Sequence, residues 1–133
     1  MDVNPIIEII KKTYNPEYIL IFGSFASGST HPNSDLDIAF YQEAKTLDPY
    51  NLFLVANEIS DYVKRPVDLI NFFDASTVFR RQIFINHKKI YSKNDYLYHQ
   101  HELMTNRMYE DLNVQRHDLI EEIKESGTIY GTG

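Results

Sequence analysis

Residues 18–41 read YILIFGSFASGSTHPNSDLDIAFY, and this stretch decides the fold. Its first five residues are apolar, β-branched or aromatic, which predicts a buried strand that ends at Gly23. The residues from there to Ser34 are rich in glycine, serine and other turn formers, as in a loop with room for one helical turn. Side chains then alternate from Asp35 to Tyr41, which predicts a second strand with one covered face and one open face.

Further helices and strands are predicted on both sides of this stretch. In chain order they are a helix capped by Asn4 with Pro5 in its first turn, a helix starting at Asp48-Pro49, a strand over residues 67–72, a helix capped by Ser76, a short strand at residues 89–91 and a long helix from about 94 to 125. The helices carry apolar residues at helical spacing, so each has a face to bury. Together the elements indicate an α/β (α+β) fold, in which a small mixed sheet has helices packed on one face.

Length and composition indicate one small domain inside the cell. The chain has 133 residues and no cysteine, which excludes a disulfide scaffold, a thiol nucleophile and a cysteine zinc site. No apolar run reaches the roughly 18–20 residues that span a bilayer, and the N-terminus lacks a basic region followed by an apolar one. We therefore expect a cytoplasmic protein without membrane contact. The net charge of −6 argues against direct nucleic-acid binding, which depends on neutralising phosphates.

Three carboxylates fall where a metal site would need them. Asp35 and Asp37 are two residues apart on a predicted strand, so both project from one face, with β carbons about 6–7 Å apart. Asp68 joins that face if the second and third strands are neighbours. A divalent cation would offset the repulsion among these carboxylates, and carboxylate oxygens are ligands that hard cations prefer. Metal held there could clamp the phosphates of a nucleotide and activate an attacking hydroxyl.

Gly23 and Ser24 form the second half of this candidate site. They follow a strand and open a polar turn, where glycine lets a phosphate approach the backbone. The serine hydroxyl and the amides of the turn can then bind the oxygens of the anion. This pair predicts a phosphate-binding loop beside the carboxylates.

In order, these features are Gly23-Ser24, ten further residues, Asp35-Leu36-Asp37, and Asp68 on the next strand. They resemble the signature of the nucleotidyltransferase superfamily, which has the DNA polymerase β-like fold. The surrounding sequence is similar to the minimal nucleotidyltransferases (MNT), short chains that pair with a HEPN-domain partner as a toxin–antitoxin module. The resemblance covers residues 4 to about 91. Together with the chain length, it predicts a single nucleotidyltransferase domain over residues 1–133, with a core at about 4–91 and a helical extension at about 94–125.

By this resemblance the protein is an Mg-dependent protein adenylyltransferase. Gly23 and Ser24 bind the triphosphate of ATP, while Asp35, Asp37 and Asp68 coordinate Mg²⁺. Asp68 also orients or deprotonates the acceptor hydroxyl. The implied reaction transfers AMP from ATP to a hydroxyl, in these antitoxins a tyrosine of the HEPN toxin, and releases pyrophosphate. Such a transfer depends on positioning and charge neutralisation and needs no protein nucleophile.

The chain departs from the family pattern at Ser27, where many relatives carry arginine. The missing cation would weaken nucleotide binding or alter acceptor handling, but it removes no metal ligand. Two other functions remain open. One is a non-catalytic antitoxin that binds and occludes its partner. The other is nucleotidyl transfer to a small molecule such as an aminoglycoside, which usually requires an added substrate domain.

Two further patterns have competing interpretations. Arg81 and His87 match the loose Arg-x4–6-His pattern of HEPN ribonucleases, but so short a pattern recurs by chance and its surroundings fit a nucleotidyltransferase. The final helix carries an aromatic and methionine stripe, which consists of Tyr96, Tyr98, Met104, Met108 and Tyr109. This stripe either contacts a partner in a homo- or hetero-oligomer or packs on the protein's own sheet.

Overall fold

The computed structural model describes residues 1–28, 34–43 and 46–126, with side chains up to residue 113. Its elements are α1 (Asn4–Thr13), β1 (Tyr18–Phe22), α2 (Ser24–Ser27), β2 (Leu36–Tyr41), α3 (Pro49–Val63), β3 (Val67–Asn71), a 3₁₀ turn (Phe72–Asp74), α4 (Thr77–Ile85), β4 (His87–Ser92) and α5 (Asp95–Ser126). Each predicted strand and helix is present, and β4 is longer than expected. Within the described ranges, no helix is both long and apolar enough to cross a membrane.

The four strands form one mixed sheet in the order β3-β2-β1-β4. The central strand β1 runs antiparallel to both β2 and β4, whereas β2 and β3 are parallel. Parallel strands require a crossover, and α3 supplies it between β2 and β3. The second and third strands are therefore neighbours, as the placement of Asp68 beside Asp37 required.

Helices cover both faces of the sheet, whereas the sequence predicted helices on one face. The helices α1 and α3 bury one face through a core that includes Ile6, Ile10, Ile38 and Ile59. The other face, around Tyr18, Leu20 and Phe22, is covered by side chains of α4, the 3₁₀ turn and α5. All five residues of β1 are buried, so this strand lacks a polar face and needs cover on both sides. The predicted mixed sheet and the long terminal helix are confirmed.

The helix starts differ in how they are capped. The predicted cap at Asn4 is wrong, since α1 begins at this residue and Val3 precedes it without a side-chain cap. By contrast, Asp48 accepts a hydrogen bond from the Tyr50 amide at 3.1 Å, and Ser76 caps α4 in the same way. These caps stabilise the first turns of α3 and α4, the helices that precede and follow β3 in the chain.

The stripe on α5 divides between two environments. Tyr98 is buried against the sheet, so this part of the stripe packs on the protein's own core. Tyr96, Met104 and Met108 are exposed, at 75%, 56% and 47% of their accessible surface. Packing on the protein's own sheet is therefore confirmed for Tyr98, because a helix in contact with a sheet buries only one side, while partner contact by the exposed residues stays a prediction.

Aromatic side chains fill the core under the first turns of α5. The Tyr18 ring lies at the centre and packs against Tyr41, Phe72, Tyr98 and the His101 ring. Its hydroxyl is 2.7 Å from Nδ1 of His101, which satisfies both buried polar groups. Burial lowers the pKa of His101, which favours the neutral form of the ring in this hydrogen bond. Three of the ten tyrosines, Tyr18, Tyr41 and Tyr98, therefore serve this packing.

Candidate active site

The sheet register brings two of the predicted carboxylates directly abreast. Asp37 in β2 pairs with Asp68 in the parallel strand β3, and Asp35 lies immediately before β2. Asp37 is half-buried, whereas Asp35 and Asp68 are exposed. In β2 the buried residues Leu36 and Ile38 belong to the core under α1 and α3, so Asp37 faces the other side of the sheet. The three acidic residues lie at one end of two neighbouring strands.

Electrostatics show that these carboxylates interact. The pKa of Asp37 is raised above its ordinary value of 3.8, first by burial and then by the charges of Asp68 and Asp35. Keeping Asp37 ionised at neutral pH therefore carries a free-energy cost in the isolated chain. A bound divalent cation would remove this cost, because an opposite charge favours the ionised form.

Gly23 brings the turn after β1 into contact with this carboxylate. A β carbon at Gly23 would lie 2.6 Å from Oδ2 of Asp37, which is closer than real β carbons approach other atoms. Its φ of +73° is also a conformation that residues with a β carbon rarely adopt. Sequence analysis assigned Gly23 a role in phosphate approach and missed this contact with Asp37. The pairing of Phe22 with Asp37 in the sheet places the glycine there.

The helical turn α2 is ordered by hydrogen bonds to its own backbone. The carbonyl of Gly23 accepts hydrogen bonds from the amides of Ala26 and Ser27 at 3.1 and 3.2 Å. The Ser27 hydroxyl donates to the carbonyl of Ser24 at 3.1 Å, and Gly28 ends the turn in the left-handed conformation. At the position where arginine was expected from the family pattern, this side chain therefore folds back on its own turn.

The donor set at the sheet edge fits a hard cation. Carboxylate oxygens are the ligands that Mg²⁺ prefers, and Mg²⁺ is commonly held by one or two carboxylates together with substrate phosphates. In the described part of the chain, no three histidine, cysteine, aspartate or glutamate side chains are grouped as a complete metal site. Asp37 and Asp68 are thus suited to a metal that arrives with its nucleotide.

Arg81 and His87, which match the Arg-x4–6-His pattern of HEPN ribonucleases, have packing roles in the structure. The Arg81 guanidinium lies 5.4 Å from the centre of the Tyr109 ring, where it joins α4 to α5. His87 begins β4, its Nδ1 contacts the Phe84 carbonyl at 2.9 Å, and its Nε2 contacts the Tyr98 hydroxyl. Arg81 and His87 thus contact different aromatic residues of α5, and each has a structural role.

The polymerase β nucleotidyltransferase family matches residues 4–96 of the chain. The chain belongs to this family. The match contains Gly23, Ser24 and all three acidic residues of the site. The four-stranded mixed sheet described above is the fold of these nucleotidyltransferases.

Individual family members are similar over nearly their whole length. The protein adenylyltransferase MntA of Shewanella oneidensis is 29% identical over 126 residues, which are 92% of this chain and 88% of MntA. A chain in the crystal structure of a toxin–antitoxin with AMP-PNP superposes with a TM-score of 0.81 at 28% identity, over 93% of this chain and 99% of that one. A chain from the complex of a tri-AMPylated Shewanella oneidensis HEPN toxin with MNT antitoxin superposes with a TM-score of 0.72 at 25% identity, covering 91% and 94%.

Proposed function

We propose that this protein is an MNT antitoxin that transfers AMP from ATP to a hydroxyl, a tyrosine, of a HEPN-family toxin and thereby neutralises it. The observation that carries the proposal is the contact of the Gly23 turn with Asp37, which itself lies abreast of Asp68. This contact joins a phosphate-binding turn to a pair of carboxylates. The similarity to a protein adenylyltransferase and to toxin–antitoxin structures supports the same reaction and a HEPN toxin as the partner in a hetero-oligomer.

Asp35, Asp37 and Asp68 are the residues that we assign to Mg²⁺. The cation, when bound, would neutralise the triphosphate and polarise the phosphorus that is attacked. Of the three, Asp37 is half-buried and has the raised pKa, so it gains most from a neighbouring cation. The exposed carboxylate of Asp68 is accessible to an acceptor hydroxyl and takes its proton or orients it.

Gly23 and Ser24 bind the triphosphate of ATP in this proposal. The Gly23 backbone has no side chain that would block a phosphate, and the Ser24 hydroxyl supplies a donor at the first residue of α2. During transfer, a bond forms between the acceptor oxygen and the α-phosphorus. The bond from the α-phosphorus to the oxygen bridging to the β-phosphate breaks, and pyrophosphate leaves. The hydroxyl gives up its proton as the new bond forms, either to the carboxylate of Asp68 or, where Asp68 only orients the hydroxyl, to solvent.

The domain organisation and the cellular location that we propose are based on the size and composition of the chain. We assign residues 1–133 to one nucleotidyltransferase domain with a core at about 4–91, extended by α5, and we place the protein in the cytoplasm. A catalytic core this small presents few elements for binding a second substrate. The acceptor must therefore supply much of its own binding surface, which favours a protein partner over a free small molecule.

Transfer of label from α-labelled ATP to a purified HEPN partner tests the proposal. We expect the unchanged protein to label the partner in the presence of Mg²⁺ and to neutralise it. The double variant Asp35→Ala, Asp37→Ala should do neither, because the transfer depends on both carboxylates. Asp61→Ala serves as the control, since it removes an exposed carboxylate from α3. Neutralisation that survives in the double variant would overturn the proposal in favour of simple occlusion.

A further inference from the structure

Arg65 connects the two arms of the loop between β1 and β2. Its guanidinium carbon lies 4.7 Å from the centre of the Phe25 ring, in the helical turn α2. One guanidinium nitrogen donates to the backbone carbonyl of Ser34 at 3.4 Å. Phe25 directly follows Ser24, and Ser34 directly precedes Asp35. One side chain thus contacts both arms of the loop, next to a phosphate-binding residue on one side and a carboxylate on the other.

The backbone that carries Arg65 is itself held in place. Lys64 ends α3 in the left-handed conformation with φ of 60°, and among the described residues it is the single non-glycine residue with positive φ. The Ser60 hydroxyl then donates to the carbonyl of Arg65 at 2.7 Å, and the Leu36 amide donates to Pro66 at 2.9 Å. The backbone at Arg65 is therefore fixed by hydrogen bonds to the end of α3 and to the first residue of β2.

Arg65 acts from the side of the sheet opposite Asp37. Phe25 packs against the core formed with α1 and α3, whereas Asp37 faces the other side. The Arg65 guanidinium, stacked on the Phe25 ring, therefore contacts α2 on the side of the sheet away from Asp37. This arrangement is typical of a side chain that holds a binding loop in shape.

We propose that Arg65 is a positioning residue for nucleotide binding, which holds Ser24 and Asp35 at a fixed separation before ATP arrives. The inference rests on the proposed function, since it assigns Arg65 to the same nucleotide site. If Ser24 and Asp35 are already held at the separation that the nucleotide requires, less conformational entropy is lost on binding, so Arg65 increases affinity without touching the ligand. Ser27 supplies no cation to the helical turn α2, whereas the Arg65 guanidinium contacts Phe25 of this turn from the segment between α3 and β3.

The dissociation constant of AMP-PNP with Mg²⁺, measured by calorimetry on the full chain, tests this inference. Arg65→Ala should weaken binding about tenfold, because both arms of the loop lose their shared contact. Arg65→Lys should restore part of the affinity, since an ammonium still lies over an aromatic ring but lacks the planar fork. Phe25→Leu combined with Arg65→Ala should bind no more weakly than Arg65→Ala alone, because the contact is already lost.

Arg80→Ala is the matched control. Its guanidinium also lies over a phenylalanine ring, at 4.8 Å from the centre of Phe72, and donates to the carbonyls of Phe72 and Phe73. We expect this variant to unfold at a lower temperature while AMP-PNP binds as in the unchanged protein. Melting curves confirm that each variant is folded at the temperature of the titration.

Three results would overturn the inference: unchanged affinity in Arg65→Ala, equal weakening in Arg80→Ala, or additive effects of Phe25→Leu and Arg65→Ala. Failure of the proposed function looks different. The unchanged protein would then bind AMP-PNP, with Arg65→Ala weaker, but would transfer no AMP to the HEPN partner.

Discussion

Replacing Gly23 by alanine is the sharpest perturbation that the site offers. The new β carbon would lie 2.6 Å from Oδ2 of Asp37, whereas ordinary van der Waals contact begins at 3.4 Å. The carboxylate must therefore move by about 1 Å, away from its position beside Asp68, and its neighbours resist because it is half-buried. The substitution thus displaces one proposed metal ligand without removing any carboxylate.

The expected magnitudes follow from this geometry. A misplacement of about 1 Å in a catalytic arrangement costs about 100-fold in rate, so we expect AMP transfer to fall by about that factor. The backbone at Gly23 has φ of 73° and ψ of −145°, where a residue with a β carbon costs about 1–3 kcal/mol of folding stability. The variant should therefore be moderately destabilised but folded at low temperature.

Gly28→Ala is the control that introduces backbone strain at a positive φ without a clash against Asp37. Gly28 has φ of +79°, but a β carbon there would meet nothing within 4 Å among the described residues. This variant should lose about 1 kcal/mol of stability and keep most of its AMP transfer. Initial rates with α-labelled ATP, measured well below both melting temperatures, compare the two. Equal transfer by Gly23→Ala and Gly28→Ala would refute the assignment of Asp37 to the catalytic centre.

Three further predictions concern stability. Asp37→Asn should abolish AMP transfer and, without metal, raise the free energy of unfolding at neutral pH. Since the folded pKa of Asp37 is raised, this gain in stability should vanish as the pH falls below about 3.8. Denaturant titrations at several pH values would measure it. Tyr18→Phe should cost about 1–2 kcal/mol of folding stability, because it leaves Nδ1 of His101 without its hydrogen-bond partner, while calorimetry should find AMP-PNP binding unchanged. Because the folded pKa of His101 is lowered, its contribution to stability is present above about pH 6.5 and is lost as the pH falls through the folded pKa. His101→Gln should therefore weaken the dependence of the melting temperature on pH below about 6.5.

The sequence predicted the elements of this fold because their signals are local. Alternation in residues 35–41, the unbroken apolar run of β1 and the caps at Asp48 and Ser76 each depend on a few neighbouring residues. The placement of Asp35 and Asp37 on one side depends on their spacing of two residues, whereas the position of Asp68 beside them depended on the β2–β3 pairing, which the sequence left open.

What sequence reasoning missed depends on contacts between distant residues. The cover on the second face comes from α4 and α5, and no local pattern states which side of a sheet a later helix will take. The approach of Gly23 to Asp37 depends on the register of β1 against β2. Arg65 carried no motif, and its contact with Phe25 exists only because the turn at Lys64 directs it there.

The intact mass of a co-expressed HEPN-family partner tests the central claim most directly. Co-expression with the unchanged protein should add the mass of one or more AMP units to that partner, with the modification located on a tyrosine. Co-expression with the double variant Asp35→Ala, Asp37→Ala should leave its mass unchanged. A partner that is neutralised by the unchanged protein and yet carries no added AMP would contradict the account.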